Sequence, residues 1–351
     1  MIHFSVQRYA LLALAAAALF GASTPLAKLL LEEISPVLLA GLLYLGSGVG
    51  LALARFARGS EKRPREARLA ATDWGWLGGA ILAGGVLAPV LLLWGLAGSG
   101  AAATSLLLNF EAVMTALVAA VFFREAVGLR VWLAALVMLA GGALLAYAPL
   151  APLAFSPQSL AIVGACLCWA LDNNLTRKVA GADPVVTAIT KGLAAGSFNL
   201  ALGFALGGTV PGAGMTASAL MLGFVSYGVS LVLFIHALRH LVAARTAAHF
   251  STAPFIGAVL AVPLLGEPMT PGLIAATLLM AIATWLVLTE SHSHEHEHGR
   301  LKHTHRHVHD EHHQHGHRGD EGPEPHVHEH AHEPLRHAHP HAPDLHHRHD
   351  H

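Results

Sequence analysis

The sequence predicts an all-α integral membrane protein in which ten transmembrane helices form two inverted five-helix repeats, followed by a disordered tail. Three observations support this fold class. Apolar runs of roughly 18 to 24 residues, the length that spans a bilayer, follow one another up to residue 289. The stretch 109–145 recurs in altered form at 251–287, an offset of 142 residues. Residues 290–351 hold 23 of the 27 histidines and almost no apolar side chains.

Ten apolar segments are interpreted as membrane helices, five in each half of the chain. They cover residues 9–31, 36–54, 74–96, 101–123, 131–148, 159–176, 184–206, 216–238, 242–265 and 271–289. An odd number of crossings turns the second copy over in the membrane, as in the inverted repeats of many secondary transporters. The predicted domains are therefore a first repeat over 1–149, a second over 150–289 and the tail over 290–351.

The distribution of charge distinguishes the body, residues 1–289, from the tail, and it predicts how the body is oriented in the membrane. Residues 1–289 carry 15 Lys and Arg against 10 Asp and Glu, whereas the tail carries 6 against 12. The connections on one side of the predicted bundle hold basic residues and those on the other hold none, which predicts a bacterial inner-membrane protein with both termini cytoplasmic. Glu32, Glu33, Asp183 and Glu267 are expected on the outer side.

Prolines and glycines interrupt the predicted spans. Each proline removes a backbone donor and leaves the carbonyl four residues earlier without its helical partner. The four pairs are Pro25 with Gly21, Pro89 with Gly85, Pro254 with Phe250, and Pro263 with Val259. Four such carbonyls together favour a cavity, and a kink repaired by neighbouring helices is the alternative for each. Glycine pairs such as Gly192 with Gly196 and Gly75 with Gly79 predict close helix packing.

Four stretches carry a resemblance to a known family. The two copies of the central motif are LNFEAVMTALVAAVFFRE and FSTAPFIGAVLAVPLLGE. Each half also opens on related helices, ALFGASTPLAKLLLEEISPVLLAGL and CWALDNNLTRKVAGADPVVTAITKGL. The body, about residues 9–289, thereby resembles the EamA-type drug/metabolite transporters. The resemblance implies inverted five-helix halves, a central cavity open alternately to each side, and a transporter rather than an enzyme.

Two positions depart from the family pattern. Relatives carry Glu-Pro in the fourth helix, and this chain has Glu111-Ala112, so the kink that the resemblance implies is expected to be lost. Many relatives carry Arg in the second helix where this chain has Leu43, and the equivalent position of the second half keeps a cation, Lys191.

Glu111 is the main mechanistic candidate because it lies near the middle of its predicted span. A charge there costs on the order of 2.5 to 3.5 kcal/mol on insertion scales and is retained for a function or a partner. Glu111 either carries a proton that drives transport or pairs with a cationic group of the substrate. The structural alternative is a permanent ion pair with Lys191 or Arg245.

Other polar residues inside the spans complete the predicted pathway, namely Lys191, Asp172, Asn173, Asn109 and His249. Asp172, Asn173 and Asn174 are consecutive near the cytoplasmic end of the sixth helix, and Thr176 lies one turn beyond Asp172. This cluster either coordinates a polar substrate or bonds helices to one another. His249 is either structural or part of the pathway.

Two acids close the two copies of the repeat. Glu125 and Glu267 each precede a new helix, where a carboxylate complements the positive N-terminal dipole, and Pro271 suits a first helical turn. Both acids are therefore predicted to stabilise the helices that follow them.

The tail lacks the apolar residues that a folded core requires. Runs such as HSHEHEH and HVHEHAH place imidazoles at every second position, and imidazole binds Zn, Ni, Co and Cu. The predicted ligands are His292, His294, His296, His298, His326, His328, His330 and His332. The alternatives are a solvated linker and a pH-responsive polycation at an anionic lipid surface. No cofactor is expected to be required.

The sequence therefore predicts a secondary transporter that exports a small metabolite, amino acid or drug-like solute, with the bilayer and the solute as partners and no nucleic-acid motif. One alternative is a Ni, Co or Zn exporter that gathers metal with its tail, although the spans lack the carboxylate, His and Met clusters of a metal pathway. Another is a non-transporting metal sensor or store. The sequence leaves a homodimer open.

Overall fold

The computed structural model describes residues 2–57, 73–123, 128–146, 156–179, 183–238, 241, 243–289 and four strands between residues 292 and 341. Within the described ranges up to residue 289, every regular element is a helix. The helices of the first half are α1 (Ile2–Gly21), α2 (Ser23–Leu30), α3 (Pro36–Ala57), α4 (Asp73–Ala80), the π-helix Ile81–Leu87, α5 (Ala88–Ala97), α6 (Ala101–Leu107), α7 (Phe110–Phe123) and α8 (Leu129–Ala146). Those of the second half are α9 (Pro157–Arg177), α10 (Pro184–Ala205), α11 (Ala213–Gly223), the π-helix Phe224–Val229, α12 (Ser230–Leu238), α13 (Ala243–Phe250), α14 (Ala253–Leu265) and α15 (Pro271–Leu288).

Eight helical segments are long and apolar enough to cross a membrane, which makes this a multi-pass membrane protein. They are Gln7–Leu30, Pro36–Ala57, Asp73–Ala97, Ala101–Phe122, Pro184–Ala205, Ala213–Leu238, Thr246–Leu265 and Pro271–Leu288. The fifth predicted span corresponds to a shorter apolar helix, Leu129–Leu145. The sixth corresponds to α9, whose polar cluster lowers its hydropathy although its 21 residues cover roughly 30 Å.

A proline preceded by a capping residue starts three of these helices. The pairs are Ser156-Pro157, Asp183-Pro184 and Thr270-Pro271. In each pair the capping side chain accepts a hydrogen bond of 2.8 to 3.1 Å from an N–H of the first turn. Pro271 therefore begins its helix as predicted, because its fixed φ suits the first turn and its missing donor costs nothing there.

Helices of the two halves pack against each other throughout the bundle. The main pairs are α3 with α10, α8 with α15, α5 with α9, α7 with α9, α3 with α11, α1 with α12 and α6 with α14. Gly192 and Gly196 bring α10 close to α3, since a Cβ on Gly192 would lie 2.8 Å from the Gly48 Cα. The predicted packing role of Gly192 and Gly196 is confirmed. For Gly75 it is wrong, because no atom of the described residues lies within 4 Å of the position that a Cβ would take.

Several spans are interrupted, including one that the sequence predicted to be straight. The α6–α7 span breaks at Leu108 and Asn109, and the α13–α14 span breaks at Ser251 and Thr252, within one residue of the equivalent position. The expectation that this span lacks a kink beside Glu111 is therefore wrong. The turn forms without proline because the Asn109 amide donates to the Leu106 carbonyl at 2.8 Å, which replaces helical bonding there.

One end of the bundle carries an ion pair that corrects the predicted position of Asp183. The Asp183 Oδ2 lies 2.9 Å from Nη1 of Arg55, so the two residues share one end of the bundle. Asp183 follows Arg177 and Lys178 in the connection between α9 and α10, and it belongs with these basic residues rather than with Glu267.

The tail differs from the predicted disordered segment at four short strands. They are β1 (His292–His298), β2 (Leu301–His307), β3 (His326–His332) and β4 (Leu335–His341). β1 pairs antiparallel with β4, and β2 pairs antiparallel with β3. The alternation of histidine with other residues has the two-residue period of a strand, which accounts for this local extended structure.

Candidate functional site

An ion pair inside the bundle forms the first part of the candidate site. Lys191 on α10 donates to both carboxylate oxygens of Asp172 on α9, at 2.5 and 2.7 Å. The Thr176 hydroxyl, one turn beyond Asp172, also donates to Oδ1 at 2.8 Å. The Asp172 side chain is 9% exposed and that of Lys191 is 18% exposed. The charge of Asp172 is therefore balanced by a cation and a hydroxyl within the protein.

Glu111 forms the second part and has a different partner. Its Oε1 accepts a 2.9 Å hydrogen bond from the Asn173 amide. In the part of the chain that the structure describes, no Lys or Arg lies within ion-pair distance of Glu111. The alternative in which Glu111 is permanently paired with Lys191 is therefore wrong, because Lys191 binds Asp172. The side chain of Arg245 lies outside the described residues.

Thr115 and Asn174 hold the two helices of the cluster together. The Thr115 hydroxyl donates to the Glu111 carbonyl at 2.8 Å and accepts from Asn173 at 3.3 Å. The buried Asn174 amide donates to the Thr115 carbonyl at 3.1 Å, which links α9 to α7. Asn174 thus bonds neighbouring helices, one of the two roles predicted for this cluster, while Asn173 is exposed beside Glu111. Sequence reasoning missed Thr115, although its four-residue spacing from Glu111 puts both on one helical face.

The π-helix Ile81–Leu87 forms the wall against which Asp172 packs. Any side chain at Gly84 would overlap the Asp172 carboxylate. The Gly84 carbonyl accepts hydrogen bonds from the Tyr44 hydroxyl at 2.7 Å and the Trp169 indole at 3.0 Å. In a π-helix the Gly84 carbonyl would accept a hydrogen bond from the N–H of the residue five positions later. That residue is Pro89, which has no N–H to donate.

The adjacent Gly85 carbonyl is one of the four carbonyls that a proline was predicted to free. Pro89 was predicted to leave it without a helical donor, and the buried Asn199 amide donates to it at 3.1 Å. The freed carbonyl is thus repaired by a neighbouring helix, which is the alternative stated for each proline. Gly84 was missed because the shift to π-helical bonding has no clear signal in the sequence.

Two other predicted pathway residues lie apart from the charged cluster. Asn109 is buried at the α6–α7 turn and accepts a 3.1 Å hydrogen bond from Thr284, so it joins that turn to α15. His249 lies on α13, and its carbonyl accepts from the Thr252 hydroxyl at 2.7 Å. A role for the His249 imidazole in the pathway stays a prediction.

Glu267 does bind a helix N-terminus, but not that of the helix that follows it. Its carboxylate accepts hydrogen bonds from the N–H groups of Ala101 and Ala102, at 2.5 and 3.0 Å, in the first turn of α6. Gly266 adopts the left-handed φ of 66°, which turns the chain at the end of α14. The predicted partner was wrong because α15 already has Thr270 as its cap. Glu125 lies outside the described residues.

Lys28 binds the other side of the connection between α5 and α6. Lys28 on α2 donates to the carbonyls of Leu96, Ala97 and Ser99 at 2.7 to 2.9 Å. A cation therefore meets the C-terminus of α5 and an anion meets the N-terminus of α6, as the helix dipoles favour.

Metal sites were predicted only in the tail. Among the described residues no group of three or more His, Cys, Asp or Glu is suitably placed to hold a metal ion. The backbones of the eight predicted tail ligands lie in β1 and β3, and their side chains lie outside the described part. Metal binding by the tail stays a prediction.

Comparison with known proteins identifies the family. The EamA-like transporter family matches residues 7–147 and again 157–289. An uncharacterized transporter of Methanothermobacter thermautotrophicus is 27% identical over 265 residues, covering 72% of this chain and 77% of the relative. A solved crystal structure of a protein with 20% identity superimposes with a TM-score of 0.57 over 80% of this chain and 98% of its own, which supports the same fold. The chain belongs to the EamA-like transporter family.

Proposed function

We propose that the protein is a secondary active transporter that exports a small metabolite, amino acid or drug-like solute by alternating access. The observation that carries the proposal is the division of charge at the site. Asp172 is neutralised by Lys191, whereas Glu111 has only an amide partner among the described residues. A carboxylate held inside a membrane protein without a fixed cation is suited to exchange a proton or a cationic group.

The packing of the helices supports ten spans in two inverted repeats. Exchanging the halves maps the contact of α5 with α9 onto that of α12 with α1, and it maps α3–α10 and α8–α15 onto themselves. Both π-helices also occupy equivalent spans, as do the breaks at Leu108–Asn109 and Ser251–Thr252. Equivalent irregularities in the two halves are typical of inverted-repeat transporters that bind solute near the midplane.

Location and boundaries follow from the same proposal. The repeats extend over 1–149 and 150–289, and the protein lies in the bacterial inner membrane with both termini cytoplasmic. Arg55 with Asp183 marks the cytoplasmic end, and Glu267 with Ala101 marks the outer end. Basic residues in the connections support this orientation. A homodimer is an additional proposal, tested by the mass of the purified protein in detergent.

The role of Glu111 is tested by Glu111→Gln in proteoliposomes. The variant keeps a side chain of the same size that can accept from Asn173, so the protein should fold. Export of the amino acids or drug-like amines that the wild type moves under an imposed proton gradient should fall at least tenfold and lose its dependence on pH. Glu33→Gln, at an exposed position, is the matched control. An unchanged rate with an unchanged pH dependence would exclude Glu111 from the mechanism.

A divalent-metal exporter is the second candidate, favoured by the tail. The strand register places histidine opposite histidine at positions 292 and 341, 294 and 339, and 296 and 337 of one pair. The other pair does the same at 303 and 330, 305 and 328, and 307 and 326. Opposed positions are the closest between antiparallel strands, which favours shared coordination of Zn, Ni or Co.

Truncation after Glu290 separates the candidates. Full-length and truncated proteins are compared in liposomes for flux of amino acids and of Ni, Co and Zn. Solute flux that survives truncation supports the metabolite exporter. Metal flux that disappears with the tail supports the metal exporter. Metal binding without any flux in either protein supports a sensor or store.

A further inference from the structure

We propose that each of the two strand ladders of the tail builds a divalent-metal site across its strands, and that the bound ion is what holds the paired strands together. The observation is the register of the backbone. The β1–β4 ladder and the β2–β3 ladder each oppose histidine to histidine at three positions, two residues apart and therefore on one face. Half of these histidines were not among the predicted tail ligands, namely His303, His305, His307, His337, His339 and His341.

The register is supported by more than the histidines. On the other face of the β1–β4 ladder Glu297 lies opposite Arg336, and opposite charges at opposed positions stabilise antiparallel strands. The β2–β3 ladder also continues the register of the β1–β4 ladder, because β2 begins three residues after β1 ends and β3 ends three residues before β4 begins. One register therefore serves both ladders, and it brings histidine opposite histidine in each.

Two adjacent histidine pairs supply the number of ligands that a tetrahedral ion needs. Opposed positions of an antiparallel ladder have Cβ atoms about 4.5 to 5.5 Å apart, and positions two residues along a strand are separated by about 6.6 Å. Two adjacent pairs therefore place four imidazoles where one ion can be shared. Because each ladder has three pairs in a row, the middle pair belongs to either choice of two. The central positions are His294 with His339 and His305 with His328.

The chemistry of these ligands selects the class of ion. Imidazole nitrogen binds Zn²⁺, Ni²⁺, Co²⁺ and Cu²⁺, whereas Mg²⁺ and Ca²⁺ prefer oxygen ligands. The tail contains no cysteine, so it lacks the thiolates that Cu(I) and iron–sulfur clusters prefer. A set of four neutral nitrogen ligands in tetrahedral reach fits Zn²⁺, which is the ion used in the tests below.

The ladders also need the stability that a bound ion would supply. A two-stranded ladder is marginal at best in water, and the tail has almost no apolar side chains to cover one. A site that exists only when the strands are paired converts its binding free energy into folding free energy. Metal binding and strand pairing are therefore one event in the tail. A part for these sites in transport rests on the metal-exporter candidate, whereas metal binding across the ladders does not.

The binding test compares two variants that lose the same number of histidines. His339→Ala combined with His305→Ala removes one central histidine from each ladder. His298→Ala combined with His332→Ala is the matched control, because these two histidines lie opposite leucine. The full-length proteins, purified in detergent and freed of metal, are titrated with Zn²⁺ in competition with a chromophoric chelator. The central variant should bind its tightest Zn²⁺ at least about tenfold more weakly than wild type, and the control should match wild type.

Strand pairing is measured separately, by the distance between two spin labels. Glu295→Cys and Ala338→Cys place the labels at opposed positions on the face of the β1–β4 ladder that has no histidine. The full-length chain used for labelling carries alanine at Cys166 and Cys168, so that only the tail is labelled. The distribution of distances should be short and narrow with Zn²⁺, and it should become long and broad when EDTA removes the ion.

Equal weakening of Zn²⁺ binding in the two double variants would show that the histidines act by number rather than as pairs, and it would overturn the proposal. A label distance that Zn²⁺ leaves unchanged would do the same. Zn²⁺ that brings the labels together in a protein that moves no Ni, Co or Zn across liposomes would support the paired sites and count against the metal-exporter candidate alone.

Discussion

The ion pair between Asp172 and Lys191 can be tested by removing its partners singly and together. Lys191→Met removes the charge but keeps an unbranched side chain, and Asp172→Asn keeps the oxygen that accepts from Thr176. Each single variant leaves one charge without its partner in a site that is at most 18% exposed. The double variant leaves no charge.

The expected magnitudes follow from this burial. Removing one partner of a buried pair costs about 3 to 5 kcal/mol, whereas replacing both partners is often nearly neutral. At about 2 °C per kcal/mol for a chain of this size, each single substitution lowers the unfolding temperature by about 6 °C or more. The double variant should unfold within about 2 °C of wild type. Arg55→Met is the control, because its pair with Asp183 is 42% and 23% exposed and contributes about 0 to 1 kcal/mol.

Thermal unfolding of wild type, the two single variants and the double variant in the same detergent measures the coupling energy between Asp172 and Lys191. If the loss in the double variant equals the sum of the two single losses, the side chains do not interact and the assignment of Lys191 to Asp172 is wrong. A double variant that is as stable as wild type but moves no solute would give the pair a part in transport as well as in structure.

Two further predictions follow from close contacts of the described residues. Gly84→Ala should lower stability by about 1 to 3 kcal/mol and impair transport, because the new methyl group displaces the Asp172 carboxylate; Gly75→Ala, beside open space, should do neither. Glu267→Gln should lower the unfolding temperature, because hydrogen bonds from a helix N-terminus to a charged acceptor contribute about 1.5 to 3 kcal/mol. Glu33→Gln should leave it unchanged, and equal melting of the two Gln variants would refute the capping role.

The sequence predicted the eight membrane-length helices because hydrophobic length is a direct physical requirement of the bilayer. Helix starts were also predictable where proline follows a capping residue, as at Pro271. The break beside Glu111 was not, because it depends on the Asn109 side chain bonding to its own backbone, and on Thr284 from a distant helix. Such a turn is decided by tertiary contact, which periodicity does not report.

The polar residues of the site were predictable as a set but not as pairs. Charged and amide side chains inside apolar spans stand out in any sequence, so Glu111, Asp172 and Lys191 were found. Which acid receives the lysine depends on the relative rotation of α9 and α10. The four-residue spacing of Asp172 and Thr176 was the one local sequence signal that two of these side chains lie together. In the structure Thr176 donates to Asp172, and Lys191 contacts both residues.

The partner of Glu267 bears on how the two halves move. The carboxylate at the end of α14 holds the start of α6, and Lys28 holds the end of α5, so charges from α2 and α14 bind the two helix termini of one connection. These are charge-assisted bonds to backbone groups that have no helical partners. The opposite end has an exposed ion pair between Arg55 and Asp183, which is weak in water. Opening the α5–α6 end therefore requires these charge-assisted bonds to break. On the proposed alternating-access function, these bonds must break before solute can pass at the Glu267 end.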